Sequence, residues 1–274
     1  MKPVVKIHGH RGARGLFPEN TITSFIEAVK LGVDGIELDL VISKDLKVVV
    51  SHEPWMNHLF CSKPNSKSIK KNELINLYNL NYSQIKKYDC GKRGNKNFPK
   101  QKRVAEFKPL LSEVIKKTES FIKTNDLPPV LYNIEIKSEK KGDNIFHPKP
   151  KLFSRLVYET IALFHINDRI MIQSFDIRIL REIKKINDSI NLGLLVKKKS
   201  SLESNIRKLG FIPYAYNPNH KLVNKKLVNK AHKMGMKVFV WTVNNVKDMK
   251  NLMKQSVDGI ITDYPNISKS FIKQ

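Results

Sequence analysis

Gly35-Ile36-Glu37-Leu38-Asp39-Leu40-Val41-Ile42-Ser43-Lys44-Asp45-Leu46-Lys47-Val48-Val49-Val50-Ser51-His52 decides the fold. Two apolar runs rich in β-branched residues read as strands, and the turn at Lys44-Asp45 separates them. So short a connection joins antiparallel strands only, because a parallel pair needs a crossover of about a dozen residues. A period of two puts Glu37 and Asp39 on one face, and Ile36, Leu38 and Leu40 on the other. Gly35 to Asp39 therefore reads as a sheet strand whose continuation rises above the rim and folds back, with Lys47 to Ser51 as the returning arm. A turn centred near Lys44-Asp45 sets position 37 across from position 52, which brings His52 beside Glu37.

On either side, strand patterns alternate with helical ones. Strands are predicted at Val4 to His8, Val130 to Ile136, Arg169 to Ser174, Asn191 to Val196, Ile212 to Tyr216, Lys237 to Thr242 and Asp258 to Thr262. Helices are predicted at Thr21 to Leu31, Leu110 to Lys123, Lys151 to His165, Ile177 to Ile186, Ser201 to Leu209, Lys221 to Met234 and Val246 to Lys254. Asn20 is the expected N-cap of the first helix and Gly32 its C-cap. With the hairpin arm set aside, eight parallel strands remain, the number a closed (β/α)8 TIM-type barrel requires. Residues 53–108, rich in Pro, Gly, Asn and Lys, fit no βα unit and read as a small insertion, or cap, inside a single domain spanning 1–274.

The chain of 274 residues carries 50 Lys and Arg against 25 Asp and Glu, a formal charge of +25, yet 41% hydrophobic residues and 13 Phe supply a full core. It is not a disordered polycation. The first 60 residues are neutral, with seven basic and seven acidic side chains, whereas residues 61–110 hold thirteen basic and three acidic ones. A basic surface suits nucleic acid, an anionic membrane or an anionic substrate. No RNP, helix-turn-helix or Gly-rich phosphate motif supports nucleic acid, and Lys, Asn and Ile are abundant enough for most individual lysines to be compositional drift. No apolar run reaches the roughly 18 residues of a membrane span. Met1 to Ile7 enters a strand without leader features, so the expected compartment is the cytoplasm, or the periplasm or exterior if a leader has been removed. Cys61 and Cys90 permit one bridge but are expected as free thiols.

Catalytic groups of a barrel stand at the C-terminal ends of its strands. Those ends carry His10 and Arg11, then Glu37 and Asp39, His52 on the return arm, and Glu135 and Lys137, which share a face with Asn133. Glu37, Asp39 and Glu135 make an all-oxygen set suited to a hard cation such as Mg2+ or Ca2+. Ion pairs with Lys137 and Arg11 would satisfy the same acids, and spacing does not separate the two readings. His8 faces the same way one layer deeper and reads as packing.

His10-Arg11-Gly12, Pro18-Glu19-Asn20-Thr21, Glu37-Leu38-Asp39, His52-Glu53, Asn133-Ile134-Glu135-Ile136-Lys137, Gln173-Ser174-Phe175, Trp241-Thr242-Val243-Asn244 and Asp258-Gly259-Ile260-Ile261-Thr262-Asp263 together resemble the ordered motifs of the glycerophosphodiester phosphodiesterase family, bacterial type. The resemblance runs from residue 8 to residue 265. It implies a barrel of the phospholipase C-like phosphodiesterase type, and metal-dependent hydrolysis of glycerophosphodiesters to sn-glycerol 3-phosphate and an alcohol. It further implies His10 and His52 as general acid and base, Glu37, Asp39 and Glu135 as ligands of Mg2+ or Ca2+, and Arg11 and Lys137 on the phosphate oxygens. Trp241 and Phe175 would wall the pocket, although Phe175 equally suits a barrel-top core. Glu53 stands where many members carry Asp. The implied partner is a small anionic substrate, with no nucleic acid.

Two rivals stay open. A lysophospholipase D-like or sphingomyelinase D-like enzyme needs an apolar groove, for which Pro54-Trp55-Met56-Asn57-His58-Leu59-Phe60 is the one candidate. A basic module binding nucleic acid or an anionic membrane would leave the catalytic inventory idle.

Overall fold

The computed structural model describes residues 5–272. Its strands are β1 (Lys6–Gly9), β2 (Gly35–Ile42), β3 (Val48–Val50), β4 (Leu131–Ile136), β5 (Ile170–Ser174), β6 (Asn191–Val196), β7 (Ala215–Pro218), β8 (Lys237–Val240) and β9 (Gly259–Thr262). All but β3 are parallel, and β1 pairs with both β2 and β9, so the sheet closes into an eight-stranded barrel without an edge. The helices are α1 (Ile22–Lys30), the single turn α2 (Tyr82–Ile85), α3 (Leu111–Thr124), α4 (Pro150–Ala162), α5 (Ile177–Ile186), α6 (Leu202–Leu209), α7 (Lys225–Lys233), α8 (Val246–Lys254) and α9 (Pro265–Ile272).

Alternation along the strands builds two cores. Ile36, Leu38, Leu40, Ile134, Ile136 and Ile172 face outward and join the helices' apolar faces. Met171, Ala215, Phe239 and Ile261 form a smaller plug with Trp241 against it. His8 is buried there, its ring 5.1 Å from that of Phe239, with neither nitrogen hydrogen-bonded. Burial drives its pKa down to about 3, with Lys6 adding to the effect, so it packs as a neutral ring, as its depth predicts.

β3 returns antiparallel to β2, as the short turn requires, but the register is Leu40↔Val50, Val41↔Val49 and Ile42↔Val48. Position 37 would thus face 53 and not 52. The turn is one residue longer than the dipeptide suggests, because Leu46 takes a left-handed φ of 59° and Lys47 donates to the Ser43 hydroxyl at 3.0 Å. The hairpin is buried on both faces. Leu40, Ile42, Val48 and Val50 join the main core, while Val41 and Val49 join a satellite core with Met56, Phe60, Ile69, Leu77 and Ile85.

Several local expectations are corrected. Asn20 does not cap α1; Thr21 does, accepting from Ser24 N, while Asn20 sits at φ 57° and turns its amide to Asp39. Strand β7 starts at Ala215 and not Ile212, since Pro213 has no N–H for the ladder and Ile212 is 56% exposed. Helix α7 starts at Lys225, where Asn224 caps it, and His220–Leu222 form a separate 3-10 turn. Cys61 and Cys90, expected as free thiols, are joined in a buried disulfide within the satellite core. The bond spans 29 residues of sequence. Loop-closure entropy then gives it a worth of about 3–4 kcal/mol. Urea unfolding with and without reductant should show that difference; superimposable curves would mean the bridge is not formed in solution.

Candidate active site

The C-terminal rim gathers the chemistry. A cleft of about 170 Å³ is lined by His10, Arg11, Arg14, Glu37, His52, Glu135, Lys137, Gln173, Phe175 and Trp241, among others. β2 and β4 are paired Glu37↔Asn133 and Asp39↔Glu135, so the two-residue period that keeps the acids on one face of β2 also aligns them with Glu135 next door. One oxygen from each of Glu37, Asp39 and Glu135 lies within 4.8 Å of the others.

Both readings of these acids have a basis in the geometry. Lys137 Nζ lies 2.6 Å from Glu135 and 3.7 Å from Asp39, and Arg11 Nε lies 3.2 Å from Asp39 Oδ2. The Arg11 guanidinium is 2.7 Å from Glu19 as well, so it is held by protein carboxylates at the cleft floor. These cations do not saturate the cluster. Asp39 Oδ1 is buried without a hydrogen-bond partner. Burial and the adjoining Asp39 and Glu135 push the Glu37 carboxyl well above its usual range. Asp39 stays ionised: against the cost of burial, Arg11, His52 and Lys137 hold it below the carboxylate range. A convergent, all-oxygen donor set only partly compensated by neighbouring cations suits a hard divalent cation. The three carboxylates fit one.

Each histidine at the rim is held through Nδ1 by an acid. His10 Nδ1 is 2.6 Å from Asp263 Oδ1, and its Nε2 is 3.9 Å from Glu37 Oε2. Asp263 is fixed by Arg14 at 2.8 and 3.1 Å and by Asn244 Nδ2 at 2.7 Å. Despite burial, His10 and Arg14 keep the Asp263 carboxyl well below its ordinary value. Burial pushes His10 down to about 4, outweighing the pull of Asp263. His52 Nδ1 is 2.9 Å from Glu53 Oε1, and against burial that bond and the His52 charge bring Glu53 down to about 2. An ionised carboxylate only accepts, so each ring donates its Nδ1–H to its acid, and Nε2 is the nitrogen left without that partner.

Trp241 and Phe175 meet edge to face at 5.5 Å on the cleft wall, and Trp241 Nε1 donates to Asn217 O at 2.8 Å. Gln173 bridges inward, its amide 3.4 Å from Glu37 and 2.8 Å from Asn217. Asp263, Glu53, Arg14, Asn244, Gln173 and Glu19 contribute contacts here that carry no expected role from the sequence alone. Asp263 directly follows the last strand and Glu53 directly follows His52, and those positions were the available signals.

The glycerophosphoryl diester phosphodiesterase family model matches residues 10–267. The chain belongs to that family. Its members in this comparison include a glycerophosphodiester phosphodiesterase of Caldanaerobacter subterraneus subsp. tengcongensis, 32% identical over 97% of this chain and 96% of that one. Lysophospholipase D GDPD1 of Mus musculus is 29% identical over 96% of this chain and 84% of its own length. An Oleispira antarctica phosphodiesterase solved with the product sn-glycerol-3-phosphate superposes with a TM-score of 0.78 at 20% identity, covering 99% and 98% of the two chains. The family places this barrel among the phosphodiester hydrolases. No helix among the described residues is long and apolar enough to cross a membrane.

Proposed function

We propose that the chain hydrolyses small glycerophosphodiesters to sn-glycerol 3-phosphate and an alcohol, with Mg2+ or Ca2+ held by Glu37, Asp39 and Glu135. The observation that carries this reading is the placing of two acid-anchored histidines, His10 and His52, on one cleft with three convergent carboxylates. The cation would neutralise the phosphate and the charge growing on its oxygens. His10 and His52 act as the general acid–base pair, each using the Nε2 left free by its acid. One histidine deprotonates the glycerol 2-hydroxyl for attack on phosphorus, and the other protonates the leaving alcohol. Water then opens the cyclic phosphate. Direct attack by water is the rival route, and undiminished turnover of a 2-deoxy substrate would establish it. Lys137, with Arg11 behind it, steadies the non-bridging oxygens, and Trp241 with Phe175 walls the glycerol side.

A second reading has a specific basis, since relatives of similar identity are named lysophospholipase D. Its acyl groove is not supplied by residues 54–60, because Met56 and Phe60 are spent in the satellite core and Trp55 packs on Phe146 at 5.7 Å. Glycerophosphocholine should therefore be turned over faster than lysophosphatidylcholine in a parallel assay. The reverse order would assign the lipid activity.

Residues 53–108 act as a cap over the rim. Gln101 donates to the carbonyls of Arg14 and Phe17, and Arg14 stacks over Phe98 at 4.6 Å, so the basic insertion is tied to the loop that carries His10. Its excess charge draws in anionic substrate, so kcat/KM should fall severalfold between low and physiological salt. A flat profile would return the charge to compositional drift. The Cys61–Cys90 bond favours a periplasmic or secreted setting, where disulfides persist.

A further inference from the structure

Lys108 is a lysine buried where an apolar side chain would pack. It is 6% exposed, on a segment alongside the outer edge of β3, where Val50 N donates to Pro109 O at 2.8 Å and Val49 bridges Leu110. Its ammonium lies 5.9 Å from the Phe60 ring and donates one hydrogen bond, 2.8 Å to Ser51 Oγ. Among the described residues no carboxylate comes within ion-pair distance of it. Burial lowers the affinity of this amine for its proton, and Glu53 and Glu19 counter that. A buried charge with so few partners is costly, and core packing does not repay it.

We propose that Lys108 is a positioning residue that holds His52 in its working orientation through Ser51 and Glu53. The Ser51 hydroxyl has one proton, and with Lys108 occupying its oxygen that proton goes to the Glu53 carbonyl at 2.6 Å. This bond closes the chain around His52, the residue between its two ends. The Glu53 side chain then reaches back to His52 Nδ1 at 2.9 Å, while its other oxygen is buried without a partner. Lys108 and Arg11 are the fixed positive charges that stabilise that carboxylate, Lys108 the more strongly of the two. Lys108 thus sets both the backbone that presents the imidazole and the acceptor that fixes its tautomer. The inference rests on the reading of His52 as a proton-transfer group.

The test is a cycle of Lys108→Met, Ser51→Ala and His52→Ala, singly and in pairs, assayed on glycerophosphocholine, with 15N NMR of the histidine rings. Lys108→Met should lower kcat by about 10- to 100-fold with KM within about twofold, and Ser51→Ala should act in the same direction. Neither should lower kcat further once His52 is Ala. The His52 ring should lose its single Nδ1–H tautomer in Lys108→Met. Wild-type kcat in Lys108→Met and Ser51→Ala, or a loss carried undiminished into the His52→Ala background, would overturn the proposal. If Lys108→Met does not fold, Ser51→Ala and its pair with His52→Ala decide by the same criteria. Full activity of His52→Ala would instead remove the functional reading on which the proposal stands.

Discussion

Replacing Glu37 with Gln should lower kcat by about a thousandfold while leaving the barrel folded. The substitution keeps shape and removes one negative charge from a cluster whose members already repel one another. Glu37 is pushed toward its neutral form by burial and by Asp39 and Glu135, against which Arg11 acts only in part, so a cation bound at the cluster would relieve the cost of its charge. Thermal stability of the metal-free protein should be unchanged or higher in Glu37→Gln, since a destabilised charge is gone. Calorimetric titration with Mg2+ or Ca2+ should show binding to the wild type and a loss of at least tenfold in the variant. Asp39→Asn should behave less cleanly, because Asp39 also receives Arg11 and the Asn20 amide at 2.9 Å. If Glu37→Gln bound metal and turned over substrate like the wild type, the acids would be structural ion-pair partners of Arg11 and Lys137.

His10→Ala and His52→Ala should each cost about 10²- to 10⁴-fold in kcat, the usual weight of a positioned proton donor or acceptor. Their combination should cost less than the product of the two, because a reaction that needs both is already disabled by either. Asp263→Asn tests the same site without touching the imidazole. Its amide can present N–H to His10 Nδ1 and thereby favour the opposite tautomer, so kcat should fall about 10²-fold or more although the ring remains in place. Steady-state kinetics on one substrate decides all three. Near-wild-type turnover in both histidine variants would mean that water and metal alone carry the proton transfers.

The parts of this site legible in the sequence are those governed by period and order. A two-residue period is enough to align Glu37 and Asp39, and the pairing of β2 with β4 then brings Glu135 to them without further information. The length of the 43–47 connection dictates an antiparallel arm, and that arm carries His52 to the rim. Less was legible where one residue can slip or where the partner is distant. The left-handed Leu46 moves the hairpin register by one, and alternation alone cannot see a φ value. Asn20 suits an N-cap by type, but Asp39, nineteen residues away, claims its amide in a bidentate exchange with side chain and backbone. The clamp on His10 is made by Asp263 at a sequence distance of 253, which no local pattern announces. The union of Cys61 with Cys90 likewise depends on the path of the satellite core, which has no periodicity of its own.

If Glu37, Asp39 and Glu135 hold a divalent cation and His10 and His52 move the protons, a glycerophosphodiester should break at the bond to the alcohol. The most direct measurement is 31P NMR of glycerophosphocholine incubated with the purified protein, first with Mg2+ or Ca2+ and then with excess chelator. The diester resonance should be replaced by that of glycerol 3-phosphate, chelation should stop the change, and restoring the cation should restart it. Appearance of phosphocholine as the phosphorus product, or undiminished turnover in chelator, would contradict this mechanism.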